Sequence, residues 1–272
     1  MIGIIGQGFV GNAIYQRFKN YYDVKTYDLD KSKCNSSKDE TYSQDIIFVC
    51  LPTPMNPNGS CNIDLIEETI ANIVITGKAK IVVIKSTVSP GTTARLNSLY
   101  NNLDIVFNPE FLTEINAVED FNNTTRVILG GPRPATTELK RIYRKVFAQA
   151  HIIKTGSTHA EMIKYVTNTF LATKVSYANE IYQICKGLNL DYDKVIEYAT
   201  LDERLGKSHW QVPGPDGDFG FGGHCLPKDL NSLLYIADNL DVNTNVLDAV
   251  IETNNHVRNN RDWENMKGRA VI

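Results

Sequence analysis

Met1-Ile2-Gly3-Ile4-Ile5-Gly6-Gln7-Gly8-Phe9-Val10-Gly11 opens the chain, and Val24-Lys25-Thr26-Tyr27-Asp28 follows after one amphipathic segment. The apolar run at 2–5 reads as a buried strand, and residues 10–18 carry the periodicity of a helix. Between them stands G-x-G-x-x-G, which says little alone but much in a strand–turn–helix setting. Gly6 permits the tight turn, and Gly8 leaves room for a pyrophosphate at the helix N-terminus. Gly11 lets helix and sheet pack closely. Asp28 ends the second strand, where a carboxylate accepts both hydroxyls of an adenosine ribose and repels a 2′-phosphate. The stretch therefore predicts a dinucleotide fold that takes NAD in preference to NADP.

Outward from this unit, short β-branched runs alternate with amphipathic segments. Strands are expected at 46–50, 81–84 and 105–107, with helices at 64–75 and 92–100. A strand at 126–129, a helix at 137–147 and a strand at 151–153 complete the set. Such alternation implies an α/β fold, a doubly wound parallel sheet of the Rossmann type, over residues 1–156. After Gly156 the period becomes helical. Thr158 and Glu161 read as a capping box, and the pattern then runs to Lys186 before the Gly187 stop. At 1.5 Å per residue this helix is about 43 Å long, enough to bridge domains or subunits. Further helices are expected at 192–200, 228–240 and 244–263. They flank an irregular stretch holding Pro213-Gly214-Pro215-Asp216-Gly217, whose composition demands turns. Residues 157–272 thus read as an all-helical second domain.

Composition bounds the function classes. The 272 residues are 42% hydrophobic and 22% charged with a net charge of −3, values of a soluble globular protein. That charge gives no reason to expect nucleic acid or an acidic membrane as partner. No apolar run approaches the roughly 20 residues of a membrane span. The first residues enter a strand without a basic leader, so no signal peptide is expected. Five cysteines (34, 50, 61, 185 and 225) form no C-x-x-C pair and are odd in number, which fits a reducing cytoplasm. The five histidines lack metal-ligand spacing, and no metal site is expected.

Chemistry concentrates in Phe221-Gly222-Gly223-His224-Cys225-Leu226-Pro227-Lys228-Asp229. A thiol attacks as thiolate, a form favoured by nearby cations or a helix N-terminus. Two glycines allow close approach of a substrate to the main chain, and Pro227 suits the first turn of a helix. A buried cysteine in a tight turn is the alternative, and the neighbouring Lys228 and Asp229 weigh against it. Pro52-Thr53 and Lys85-Ser86-Thr87 each follow a buried strand at its carboxyl end, where their hydroxyls could serve a cofactor or a catalytic water. Asn108-Pro109-Glu110-Phe111-Leu112-Thr113-Glu114 places two carboxylates on one face if it is helical; a solvated glutamate pair is the alternative. Lys164 and Asn168 share a helix face and could hold an oxyanion, or could simply be exposed polarity.

Taken together, these motifs resemble the nucleotide-sugar 6-dehydrogenases, the UDP-glucose/GDP-mannose dehydrogenase family, from Gly6 to about Asn254. The resemblance implies oxidation of a sugar nucleotide's primary alcohol to a carboxylate with two NAD. UDP-glucose is the favoured substrate; GDP-mannose, a UDP-amino sugar, or a dimeric NAD-binding chain without turnover are the alternatives. It implies that Cys225 forms the thiohemiacetal and then the thioester, with Lys164 and Asn168 at the oxyanion. Asp229, with Thr87 and a water, handles the proton, and Glu110 assists hydrolysis. The implied cofactor site comprises Gly6, Gly8, Phe9, Val10, Gly11, Asp28, Pro52, Thr53, Ser86, Thr87 and Glu114. The implied substrate site comprises Glu110, Phe111, Leu112, Lys164, Asn168, Gly222 and Arg204, the last reaching a partner subunit. A homodimer through the long helix is also implied. Family members continue with a further nucleotide-binding domain, and residues 266–272 look like its first strand.

Overall fold

The computed structural model describes residues 1–272. Chain contacts divide it into two compact units, Met1–Thr53 with Ile63–Lys164, and Pro54–Asn62 with Tyr165–Ile272.

In the first unit the strands are β1 (Ile2–Ile5), β2 (Val24–Tyr27), β3 (Ile46–Val49), β4 (Ile81–Ile84), β5 (Asp104–Phe107), β6 (Arg126–Gly130) and β7 (His151–Thr155). They form one sheet in the order β2-β1-β3-β4-β5-β6-β7. The first five are parallel, with Ile2 opposite Val24 and Ile46, and Ile46 opposite Ile81. Because side chains alternate across a strand, the inner strands feed two cores. Ile4, Phe48, Val83 and Val106 pack with helices α1 (Phe9–Phe18), α5 (Ala117–Asn122) and α6 (Arg133–Val146). Ile5, Ile47, Val49, Val82, Ile84 and Phe107 pack with α3 (Asp64–Thr76) and α4 (Thr92–Leu99). Each such fully buried side chain stabilises the fold by about 1.5–3 kcal/mol. Burial on both faces explains why these strands read as continuous apolar runs. The sheet is not parallel throughout: β6 meets β5 antiparallel at Gly130 and Phe107, and β7 is parallel to β6. A short α2 (Lys38–Tyr42), capped by Ser37, and α5 add to the expected helices.

The helix α7 (Ser157–Gly187) begins in the first unit and ends in the second. The capping-box expectation is corrected: Glu161 does not serve its own helix end. Its carboxylate accepts from Gly91 N (2.6 Å) and Thr93 N (2.8 Å), capping α4, which has no side-chain cap of its own.

The second unit is helical, with α8 (Tyr192–Ala199), α9 (Leu226–Asn239) and α10 (Asn245–Val257). One apolar cluster joins Ala178, Cys185, Tyr192, Trp210 and Val212; another joins Ala172, Phe221, Leu230 and Val250. The helix expected over 244–263 stops at Val257. Arg258 is extended (φ −94°, ψ 119°), and a separate 3-10 turn covers Asp262–Asn265. The last residues do not form an extended strand of their own. Gly268 N donates to Val271 O (2.7 Å), and Met55 N donates to Ala270 O (2.8 Å), closing a turn against the segment 54–62. No helix is long and apolar enough to cross a membrane.

Candidate functional site

The first unit builds a cradle at the carboxyl end of β1. Gly6 adopts φ +87°, and a side chain there would stand 2.4 Å from Cys50 O. Gly11 is required by packing, since its Cβ would lie 1.9 Å from Gly6 O. Gly8 caps α1, and a Cβ added to it meets nothing within 4 Å, leaving open space at the N-terminal end of the helix. Asp28 stands beside this space, with Oδ2 accepting from Gln7 N at 2.6 Å. An open glycine at a helix N-terminus and a carboxylate at the end of β2 fit the pyrophosphate and ribose of a dinucleotide. The loops after β3 and β4 are tied together nearby. Ser86 Oγ donates to Leu51 O (2.6 Å), and Thr53 Oγ1 donates to Thr87 O (2.8 Å), which sets Pro52, Thr53, Ser86 and Thr87 side by side.

Residues 108–116 are not helical, so the two glutamates do not share a helix face. Glu114 is exposed, whereas Glu110 is buried against Lys164, whose Nζ donates to Glu110 Oε1 (2.9 Å) and Glu110 O (2.7 Å). Glu110 Oε2 accepts from Leu112 N (2.8 Å). Burial disfavours the Glu110 charge, yet the Lys164 ammonium and these bonds hold its carboxyl below the usual range. Phe111 lies under the Arg126 guanidinium, 4.2 Å from the ring centre. A second buried cation, Lys85, donates to Asn108 Oδ1 (3.0 Å) and Pro109 O (3.3 Å), and burial pulls it down to about 8. Tyr143 also donates to Asn108 Oδ1. The sequence shows Lys85 and Asn108 only as letters of their motifs, without a role, and gives no sign of Tyr143. Lysine next to a buried strand was the one signal available.

In the second unit Cys225 stands at the N-cap of α9, half-buried and followed by Pro227 in the first turn. One helical turn on, Asp229 is buried between two donors. Asn168 Nδ2 donates to Asp229 Oδ2 (2.6 Å), and the Lys228 ammonium pairs with Oδ1. Burial works against the Lys228 charge, but Asp229 outweighs it and keeps the lysine protonated. The Asn168 amide has a second N–H beyond the one given to Asp229. Gly222 belongs to the loop entering this turn. Arg204 lies apart, 87% exposed and folded onto its own neighbour Asp202.

Comparison with known proteins identifies both parts of the chain. Residues 32–149 match the UDP-glucose/GDP-mannose dehydrogenase family NAD binding domain, and residues 158–256 match its central domain. The UDP-glucose 6-dehydrogenase TuaD of Bacillus subtilis is 35% identical over 79% of this chain and 47% of its own length. The GDP-mannose 6-dehydrogenase of Pseudomonas savastanoi is 34% identical over 77% of this chain and 50% of its own. The solved UDP-glucose dehydrogenase of Pyrobaculum islandicum superposes with a TM-score of 0.84 at 28% identity, over 94% of this chain and 68% of that one. The chain spans about half the length of these curated relatives.

Proposed function

The chain belongs to the UDP-glucose/GDP-mannose dehydrogenase family, with NAD as cofactor, and on that premise we propose that it oxidises the primary alcohol of a sugar nucleotide, UDP-glucose, to the carboxylate. The observation that carries the reading is Cys225 at the N-cap of α9, one turn before a buried Asp229 that is bonded by Asn168 and Lys228. Bound NAD supplies the hydride acceptor, once for each two-electron oxidation. The alcohol loses a hydride and a proton to become the aldehyde. Cys225 thiolate then adds to the aldehyde carbon, and the former carbonyl oxygen takes a proton, giving a thiohemiacetal. The second oxidation leaves a thioester. Water adds to it and the C–S bond breaks, returning the thiolate and releasing the carboxylate.

The other side chains take roles that their environments support. Gly8 and the first turn of α1 receive the pyrophosphate, and Asp28 receives the ribose hydroxyls. Lys164 and Asn168 each have donors suited to an alkoxide oxygen, and Asp229 manages the proton of the alcohol. Glu110, held ionised by Lys164, assists the water that cleaves the thioester. The test is NADH release from NAD with UDP-glucose, GDP-mannose and UDP-N-acetylmannosamine in parallel. Release with UDP-glucose and NAD, and none with NADP, is expected. Release with GDP-mannose alone would overturn the choice of substrate, and equal use of NADP would overturn the role of Asp28.

Assembly follows from α7. Met162, Val166, Phe170, Tyr177 and Ile184 are all more than a third exposed, and their spacing of four and seven puts them on one stripe. An apolar stripe of this length suits a second copy of the same helix about a two-fold axis. The expected state is a homodimer that Phe170→Glu converts to monomer. Light scattering at tens of micromolar that finds only monomer in the unsubstituted chain would refute it.

A further inference from the structure

The loop that leads into Cys225 contains Gly220 and Gly223, both at positive φ (+69° and +70°). Glycines have the widest backbone freedom, so this loop's shape is not fixed by its own sequence. Side chains from elsewhere in the second unit fix it instead. Arg258 Nη1 donates to Phe219 O (3.3 Å), and Asn179 Oδ1 accepts from Gly220 N (3.2 Å). Asn254 accepts from Phe221 N (2.7 Å) and donates to Phe221 O (3.0 Å). Asp262 Oδ2 accepts from Gly223 N (3.0 Å). Gly222 rests on the Arg258–Asp262 pair itself: a Cβ there would stand 2.1 Å from Arg258 Nη2 and 2.3 Å from Asp262 Oδ1. The Arg258 side chain is 1% exposed, and its other bonds run to Asp262 Oδ1 (3.0 Å), Asp216 Oδ2 (2.8 Å) and Asn260 O (2.7 Å).

We propose that Arg258 and Asp262 are positioning residues for Cys225, clamping residues 219–223 so that the thiol is delivered to the N-terminus of α9. The proposal rests on the reading of Cys225 as the nucleophile. The pair is built for this purpose in two respects. Asp262 uses one oxygen for the guanidinium and the other for Gly223 N, so the ion pair and the loop share one carboxylate. The buried guanidinium in turn is matched by two carboxylates and two carbonyls, one of which, Phe219 O, opens the loop. A thiol that drifts from the helix N-terminus loses the field that favours its thiolate, and misplacement by about 1 Å costs a reaction about a hundredfold.

The test is the rate at which iodoacetamide alkylates Cys225, read on its own peptide by mass spectrometry, with the melting temperature of each variant recorded. Asp262→Asn and Arg258→Gln are expected to slow alkylation at Cys225 about tenfold, with Cys34 unchanged. Asp216→Asn removes a carboxylate that holds the guanidinium but not the loop, and is expected to stay within about twofold. NAD affinity stays at the wild-type value in all three. Cys225 alkylated at the wild-type rate or faster in folded Asp262→Asn overturns the clamp, as does equal slowing at Cys34. Should Arg258→Gln fail to fold, Asp262→Asn alone decides. Alkylation needs neither cofactor nor sugar, so absent turnover in the wild type would count against the proposed reaction and leave this result standing.

Discussion

Cys225→Ser is expected to lower carboxylate formation on the order of 10³-fold or more while leaving NAD affinity unchanged. The first oxidation needs no thiol, but the second starts from the tetrahedral adduct that the thiol forms, because an aldehyde gives up hydride only after a nucleophile has added to its carbonyl carbon. Serine is a poorer nucleophile at neutral pH and gives an ester in place of a thioester. The other cysteines are poorly suited to substitute: Cys61 and Cys185 are buried, burial pushes the Cys50 thiol up to about 12 so that it remains protonated, and the Cys34 thiol is given to Asp28 O (3.2 Å). The cradle around Gly8 and Asp28 belongs to the first unit, so NAD titration reports on it independently of the thiol. The chain spans about half the length of these relatives, and binding energy from remote parts of a substrate supports the chemical step. The measurement therefore follows NADH and product from wild type and variant, each with and without the C-terminal region of a relative added. Carboxylate formed equally fast by both would sink the covalent mechanism. Silence of the wild type in every combination would favour an NAD-binding dimer without turnover.

The parts of this fold legible in sequence are those set by local geometry. Ile2–Ile5 and Ile46–Val49 announce themselves because both faces of the sheet are covered, and Gly6, Gly8 and Gly11 because a strand–helix turn needs them. The orientation of β6 was not legible, since Phe107 and Gly130 pair the same way in sequence whether the chain returns parallel or antiparallel. Buried charge was the least legible feature. Glu161 satisfies the capping-box spacing with Thr158, yet a carboxylate this deeply buried is worth more to the two free N–H groups of a distant helix. Arg258 looked like the continuation of α10, and its guanidinium instead draws the chain out of the helix. Spacing reveals which residues share a face. It does not reveal which long side chain will find a distant partner, as Lys164 finds Glu110 54 residues away.

That pair makes the second large prediction. Lys164 and Glu110 are almost wholly inaccessible, so Lys164→Met leaves a buried carboxylate without its counter-ion, at a cost of about 3–5 kcal/mol at neutral pH. Lys85, drawn down to about 8 by burial, is still largely protonated at pH 7 and offsets part of this, favouring the lower end of the range. The loss must depend on pH. In the wild type the Glu110 carboxyl is held below its unfolded value, so its contribution is present above that value and is lost as pH falls through the folded one. Without Lys164, only the Leu112 N–H and Lys85 oppose burial, which then raises the carboxyl, so the variant loses stability as pH rises from the unfolded value through the raised one. The gap between the two proteins therefore opens with rising pH and narrows towards pH 4. Urea denaturation at pH 4 and pH 7.5 measures it, and an equal loss at both would show that lost packing, not charge, explains the variant. Glu110→Gln on the Lys164→Met background removes the stranded charge and is expected to return most of the stability. It should not return turnover, because the ammonium proposed for the oxyanion and the carboxylate proposed for hydrolysis are both missing, and stability recovered together with activity would remove Lys164 and Glu110 from the catalytic set.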